Sequence, residues 1–150
     1  MTRHDYLDAA IWEADRHAEI LKSAIDEWQA ASVSVMASLE SNPQLMRLVD
    51  QILFRFSKLQ DAVGNRLVPA TLVALSEPVE EWPMIDRLNR LEKLGYLNVD
   101  SWLAWRETRN RLAHEYPDHP DIRFAAIASA IADSAALLNC YQNWRKKLPV

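Results

Sequence analysis

Only two glycines and one cysteine occur among the 150 residues of this chain. Glycine is the residue that readily takes positive φ and lets backbone approach a ligand closely. With so few, little remains for primed hairpin turns, phosphate-cradling loops or Gly-rich nucleotide fingerprints, so a Rossmann domain or P-loop enzyme is excluded. A lone Cys140 makes no internal disulfide and reads as a helix-packing residue. No Cys/His cluster has zinc-finger spacing, and the chemistry read below implies neither a metal nor an organic cofactor. An excess of positive charge is also lacking. Seventeen Lys+Arg against twenty-one Asp+Glu give a formal charge of −4, which argues against a charge-driven nucleic-acid coat. No stretch approaches eighteen uninterrupted apolar residues. The first thirty residues carry Asp5, Asp8, Glu13, Asp15, Glu19, Asp26 and Glu27, not the basic start and apolar run of a secretory signal. The expectation is a cytoplasmic protein with no membrane segment.

Apolar residues make up 49% and charged residues 25%, a globular balance. The length suits one domain over residues 1–150, burying about two thirds of its unfolded surface. Helical periodicity runs through all of it. A first helix is expected from about Asp5 to Leu39, with Tyr6, Ala9, Ala10, Trp12, Ala14, Ile20, Ala24, Ile25, Trp28 and Ala31 at three- and four-residue steps. Pro43 opens a second, carrying Leu48, Ile52, Phe56, Leu59, Val63 and Leu67 on one face; Gly64 interrupts it and Pro69 marks a break or kink. Residues 76–83 read as an acidic loop with Trp82 exposed. The third helix spaces Ile85, Leu88, Leu91 and Leu94 by three and ends at Gly95 in the left-handed conformation. Asn98 or Asp100 caps a fourth helix holding Trp102, Leu103, Trp105 and Leu112, which stops around His114 to Pro117. Pro120 starts the last, with Phe124, Ile127, Ala128, Ile131, Ala135 and Leu138 as its stripe and Arg145-Lys146-Lys147 at its negative end. Its many alanines imply close helix–helix approach, within the fold or across a dimer seam. The expected class is an all-α bundle of four to five helices. The other Trp residues are expected in core or dimer packing.

Charge is uneven along the chain. Residues 1–40 hold eight acids and three bases, whereas the second to fourth helices bring Arg47, Arg55, Lys58, Arg66, Arg87, Arg90, Lys93, Arg106, Arg109 and Arg111. An acidic protein can thus present a locally basic groove between those helices, although solvated faces with i,i+4 pairs use the same residues. His4, His17 and His119 have no partners at useful spacing and read as surface or loop positions.

The chemistry-bearing segment is Arg-Asn-Arg-Leu-Ala-His-Glu-Tyr at 109–116. Asn110 and His114 are four apart and share a helix face. A neutral imidazole takes a proton from a ribose 2′-hydroxyl near pH 7 without a metal, and a guanidinium suits a phosphodiester and its developing charge. Asn110 can orient either group. Together the set suits metal-independent RNA cleavage through a cyclic phosphate. The same residue types also make ordinary caps and dipole partners at a helix end.

Arg-Asn-x3-His-x-Tyr resembles the motif of HEPN domains, most closely the HepT-like toxins of HEPN–MNT toxin–antitoxin pairs. Residues 54–61 and 85–95 resemble the second and third helices of such domains, and the resemblance covers roughly residues 45–145. It implies a helical bundle that dimerises with two motif copies facing across a cleft. It further implies that Arg109 and His114 cleave RNA without metal, with Asn110 as polar companion. The partner would be an MNT-type nucleotidyltransferase antitoxin that can adenylylate Tyr116, adding bulk and negative charge beside the catalytic pair. Arg111 stands where the family commonly has an apolar residue, and either contacts phosphate or faces solvent. Arg55 and Lys58 are candidates for the RNA backbone, and Asp61 for an acidic neighbour of the site. Two functions stay open on these grounds, beside a purely structural bundle. One is an endoribonuclease toxin acting as a homodimer. The other is a non-catalytic helical module that binds a nucleotidyltransferase.

Overall fold

The computed structural model describes residues 2–78, 81–112 and 119–149, and within them every regular element is helical. Helix α1 spans Arg3–Ala31, α2 is a short turn at Met36–Glu40, and α3 spans Pro43–Ala62. A π-helical turn at Val63–Leu67 continues into α4, Val68–Ala74. Then follow α5 (Met84–Lys93), α6 (Val99–Arg111) and α7 (Pro120–Lys147). Helix α1 packs on α3 and α7, and α6 lies against α7.

Local chemistry explains most of the boundaries. Thr2 and Asp5 form a reciprocal capping box at the start of α1. Asn42 caps α3 through Gln44 and Leu45 N–H groups, with Pro43 at the first helical position. Helix α5 ends with Gly95 at φ 85°, its N–H donating to Glu92 and the Tyr96 N–H to Leu91, the double bond pattern of a left-handed helix stop. Asn98, not Asp100, caps α6 by accepting from the Ser101 N–H at 2.8 Å.

Two expected boundaries are corrected. The first helix does not reach Leu39. It ends at Ala31, where Ser32 takes a left-handed φ of 51° and its N–H bonds back to Gln29. The second helix does not break at Pro69. Proline cannot donate to the carbonyl four residues back and its ring crowds that carbonyl. The backbone widens just ahead of it, the Val68 N–H donating to Val63 five residues back, and the helical path survives. Gly64 sits in this turn because a Cβ there would stand 3.1 Å from the Trp102 ring.

The core holds Trp102, Trp144, Phe56 and a set of leucines, all fully buried. Trp144 donates from Nε1 to Thr71 at 3.0 Å, and Gln60 donates to the Trp105 carbonyl at 3.0 Å, so these buried polar groups are satisfied. On α1 the buried face is Leu7, Ala10, Ile11, Ala14, Ala18, Leu21, Ala24 and Ile25. Tyr6 and Trp12 lie off it, and Trp12 is 68% exposed, outside the core. Trp82, expected in solvent, is half-buried against the main core. Cys140 packs as expected; burial pushes its thiol up to about 11.

Helix α7 divides in two. Its second half buries Ala130, Ile131, Ser134, Leu137, Leu138, Tyr141 and Trp144. Its first half is apolar but much less covered: Ile122, Ala125 and Ala128 are exposed, the last against the expected stripe. By length and composition alone α7 is long and apolar enough to cross a membrane, with a third of its most apolar window buried.

Candidate functional site

The last turn of α6 carries Arg109, Asn110 and Arg111, and packing places that turn. Trp102 and Trp105 bury one face of α6, Gln60 of α3 grips its backbone, and the Thr108 hydroxyl bonds Asp133 of α7. With the helix so placed, Arg109 reaches back to α3. Its two terminal nitrogens meet the two oxygens of Asp61, Nη2 to Oδ2 at 3.0 Å and Nη1 to Oδ1 in the same fork. This bidentate pair joins residues 48 apart in sequence and leaves each side chain more than a third exposed (36% and 40%). Such an exposed pair contributes at most about 1 kcal/mol to stability. Its stronger effect is geometric, because a bidentate carboxylate fixes the guanidinium plane.

Asn110 is exposed. Arg111 points to solvent, 3.6 Å from Glu107 one turn earlier, and lines a groove of about 760 Å³. Met36 and Met46, Leu53 of α3, and Ile122 and Ala126 of α7 also border that groove. His114 and Tyr116 lie outside the described residues, as does the expected end of the fourth helix between His114 and Pro117.

Arg55 and Lys58 share the outer side of α3 with Phe54. The Arg55 guanidinium carbon lies 5.3 Å and the Lys58 ammonium 5.6 Å from the centre of the Phe54 ring, which is itself 51% exposed. Arg55 also donates to Nδ1 of His17 at 2.9 Å across the α1–α3 interface. His17 is therefore not an unpartnered surface histidine; the antiparallel run of α1 against α3 brings it to Arg55. Burial first, then the Arg55 charge, holds its imidazole below the ordinary value, with Lys58 and Arg16 adding and Glu13 opposing. A neutral ring accepting at Nδ1 carries its proton on Nε2. His4 and His119 are exposed.

The remaining bases are dispersed, not gathered in one groove. Arg66 pairs with Glu13 at 3.2 Å, Arg90 with Glu77 at 2.8 Å, and Arg47 lines a hollow between α1 and α3. No cluster of three or more metal-ligating side chains occurs among the described residues. Periodicity alone could have flagged Phe54, since it falls off the Ile52–Phe56–Leu59 stripe and must face outward. No family model, curated protein or solved structure matches the chain.

Proposed function

We propose that this chain is a HEPN-like, metal-independent endoribonuclease toxin, acting as a homodimer and restrained by an MNT-type nucleotidyltransferase partner. The observation that carries the reading is the Arg109–Asp61 fork at the end of α6, with Asn110 to Ala113 between it and His-x-Tyr in sequence. It supplies an oriented guanidinium where the motif requires a phosphate clamp. In the proposed reaction the His114 imidazole takes the proton of a ribose 2′-hydroxyl. The 2′-oxygen bonds phosphorus, the bond to the 5′-oxygen breaks, and that leaving oxygen takes a proton from an imidazolium or water. The products are a 2′,3′-cyclic phosphate end and a 5′-hydroxyl end. Arg109 neutralises the charge that builds on the phosphoryl oxygens, and Asn110 hydrogen-bonds the imidazole or the phosphate.

The thinly covered, alanine-rich first half of α7 supports the dimer, since small side chains let two helices approach closely. Transfer of AMP from ATP to the Tyr116 hydroxyl, releasing pyrophosphate, would place an anion beside the catalytic pair and repel RNA. No membrane role is proposed, and the expected compartment is the cytoplasm. In a cell, induced expression of the wild type alone arrests growth and His114→Ala does not; continued arrest by that variant contradicts the reading.

One observation favours the second reading, a non-catalytic module that binds a nucleotidyltransferase. The Asp61 carboxylate offsets the Arg109 charge, so the guanidinium, though its Nε–H and outer Nη hydrogens remain, attracts a phosphate less strongly. A stable complex with the partner, without RNA cleavage at any protein concentration, would select it.

A further inference from the structure

We infer that Phe54, with Arg55 and Lys58, forms a subsite for one unpaired nucleotide of single-stranded RNA, the base stacking on the Phe54 ring. The inference rests on the nuclease reading for its substrate class.

Phe54 is half exposed although α3, which carries it, packs along α1. Two cations lie within 6 Å of its centre. Neither is cancelled by a carboxylate: among the described residues, Arg55 and Lys58 make no ion pair. The acids close by are otherwise placed. Asp61 is held by Arg109 and Glu13 by Arg66, while Asp50 stands one turn before Phe54 on the same line of the helix and also borders the groove. The partner that Arg55 does have is the His17 ring, whose proton affinity burial and the Arg55 charge lower, so the contact orients the guanidinium without a carboxylate. Both cations lie over the ring, so a base reaches it by displacing one of them or stacks on the Arg55 guanidinium above it, and the phosphate joined to that base meets their charge.

Position fixes the class further. Phe54, Lys58 and Asp61 follow one another at i, i+4 and i+7 along α3, so the ring stands two turns, about 10 Å, from the carboxylate that holds Arg109. One strand can thus lie over Phe54 and reach the Arg109 end. A duplex keeps its base faces stacked inside and cannot offer one to a side chain.

The test is equilibrium binding of a fluorescein-labelled single-stranded RNA, 2′-O-methylated throughout so that it cannot be cut, to the full-length protein. Phe54→Ala is expected to weaken binding about tenfold, the usual effect of removing one stacking ring. Phe54→Trp is expected to retain it, while Phe54→Leu behaves as Ala. A duplex of the same sequence is expected to ignore all three changes. Binding equal to wild type in Phe54→Ala or Phe54→Leu overturns the subsite, as does failure of the wild type to bind the single strand. Sedimentation showing that Phe54→Ala converts a dimer to a monomer also overturns it, since a second copy would then cover the ring. Cleavage of unmodified RNA in EDTA separates this from the nuclease reading. Cleavage with Phe54-independent binding sinks the subsite alone, whereas Phe54-dependent binding without cleavage sinks only the nuclease.

Discussion

Arg109 and Asp61, 48 residues apart, meet as a fork on a fork, the two terminal guanidinium nitrogens on the two carboxylate oxygens. The pair fixes the plane of the one described side chain that the motif assigns to phosphate. In the proposed nuclease Asp61 would be a positioning residue, acting on the reaction through Arg109.

Replacing Asp61 tests that role. Asp61→Ala should lower kcat for RNA cleavage about tenfold with a smaller change in KM, because a misplaced guanidinium costs more at the transition state than on binding. Thermal unfolding should move little, as expected for a pair so exposed. Arg109→Lys should also lose activity, since an ammonium cannot hold two oxygens in one plane. A wild-type kcat in Asp61→Ala contradicts the role.

Gly64→Ala should destabilise the fold by about 1 kcal/mol, although the same change in an open helix stabilises by about as much. The new Cβ would stand 3.1 Å from the buried Trp102 ring, which must give by a few tenths of an ångström to admit it. Denaturant unfolding of the two proteins at one pH reads the difference directly.

Stability should fall in acid through His17. Its folded value lies below the ordinary 6.5, so below that pH the unfolded chain binds the proton more readily than the folded one. The stability held by the neutral ring is present above about pH 6.5 and is lost as pH falls toward and through the folded value. His17→Gln should flatten this part of the profile between pH 7 and 5. An unchanged slope would show that the ring titrates freely.

The open half of α7 carries the dimer proposal. Ile122→Asp puts a charge on an exposed apolar position beside the groove and should weaken self-association at least tenfold, as read by sedimentation equilibrium. If the cleft is built from two copies, RNA cleavage at low protein concentration should fall with it.

Much of the helical frame was legible because its signals are local. Gly95 ends α5, Asn98 caps α6 and Pro120 opens α7, each through its own backbone geometry or side-chain reach. The stop at Ser32 was not legible, since no glycine or proline marks it and a serine carries the left-handed turn. At Gly64 and Pro69 the disturbance was visible but its form was not, because whether a helix breaks or widens depends on what packs around it. The site divides in the same way. Arg109 stood out in the motif, and Asp61 only as a candidate neighbour, because their meeting depends on how α3 packs against α6. His17 and Arg55 escaped for the same reason, facing each other only once α1 and α3 run antiparallel.

The central claim is tested most directly by incubating the purified protein with total RNA in excess EDTA, beside His114→Ala and with the intact mass of both recorded. Cleavage by the unmodified wild type alone, leaving 2′,3′-cyclic phosphate ends, is the predicted result. An unmodified wild type that leaves RNA intact, or a His114→Ala protein that cuts equally well, would contradict it.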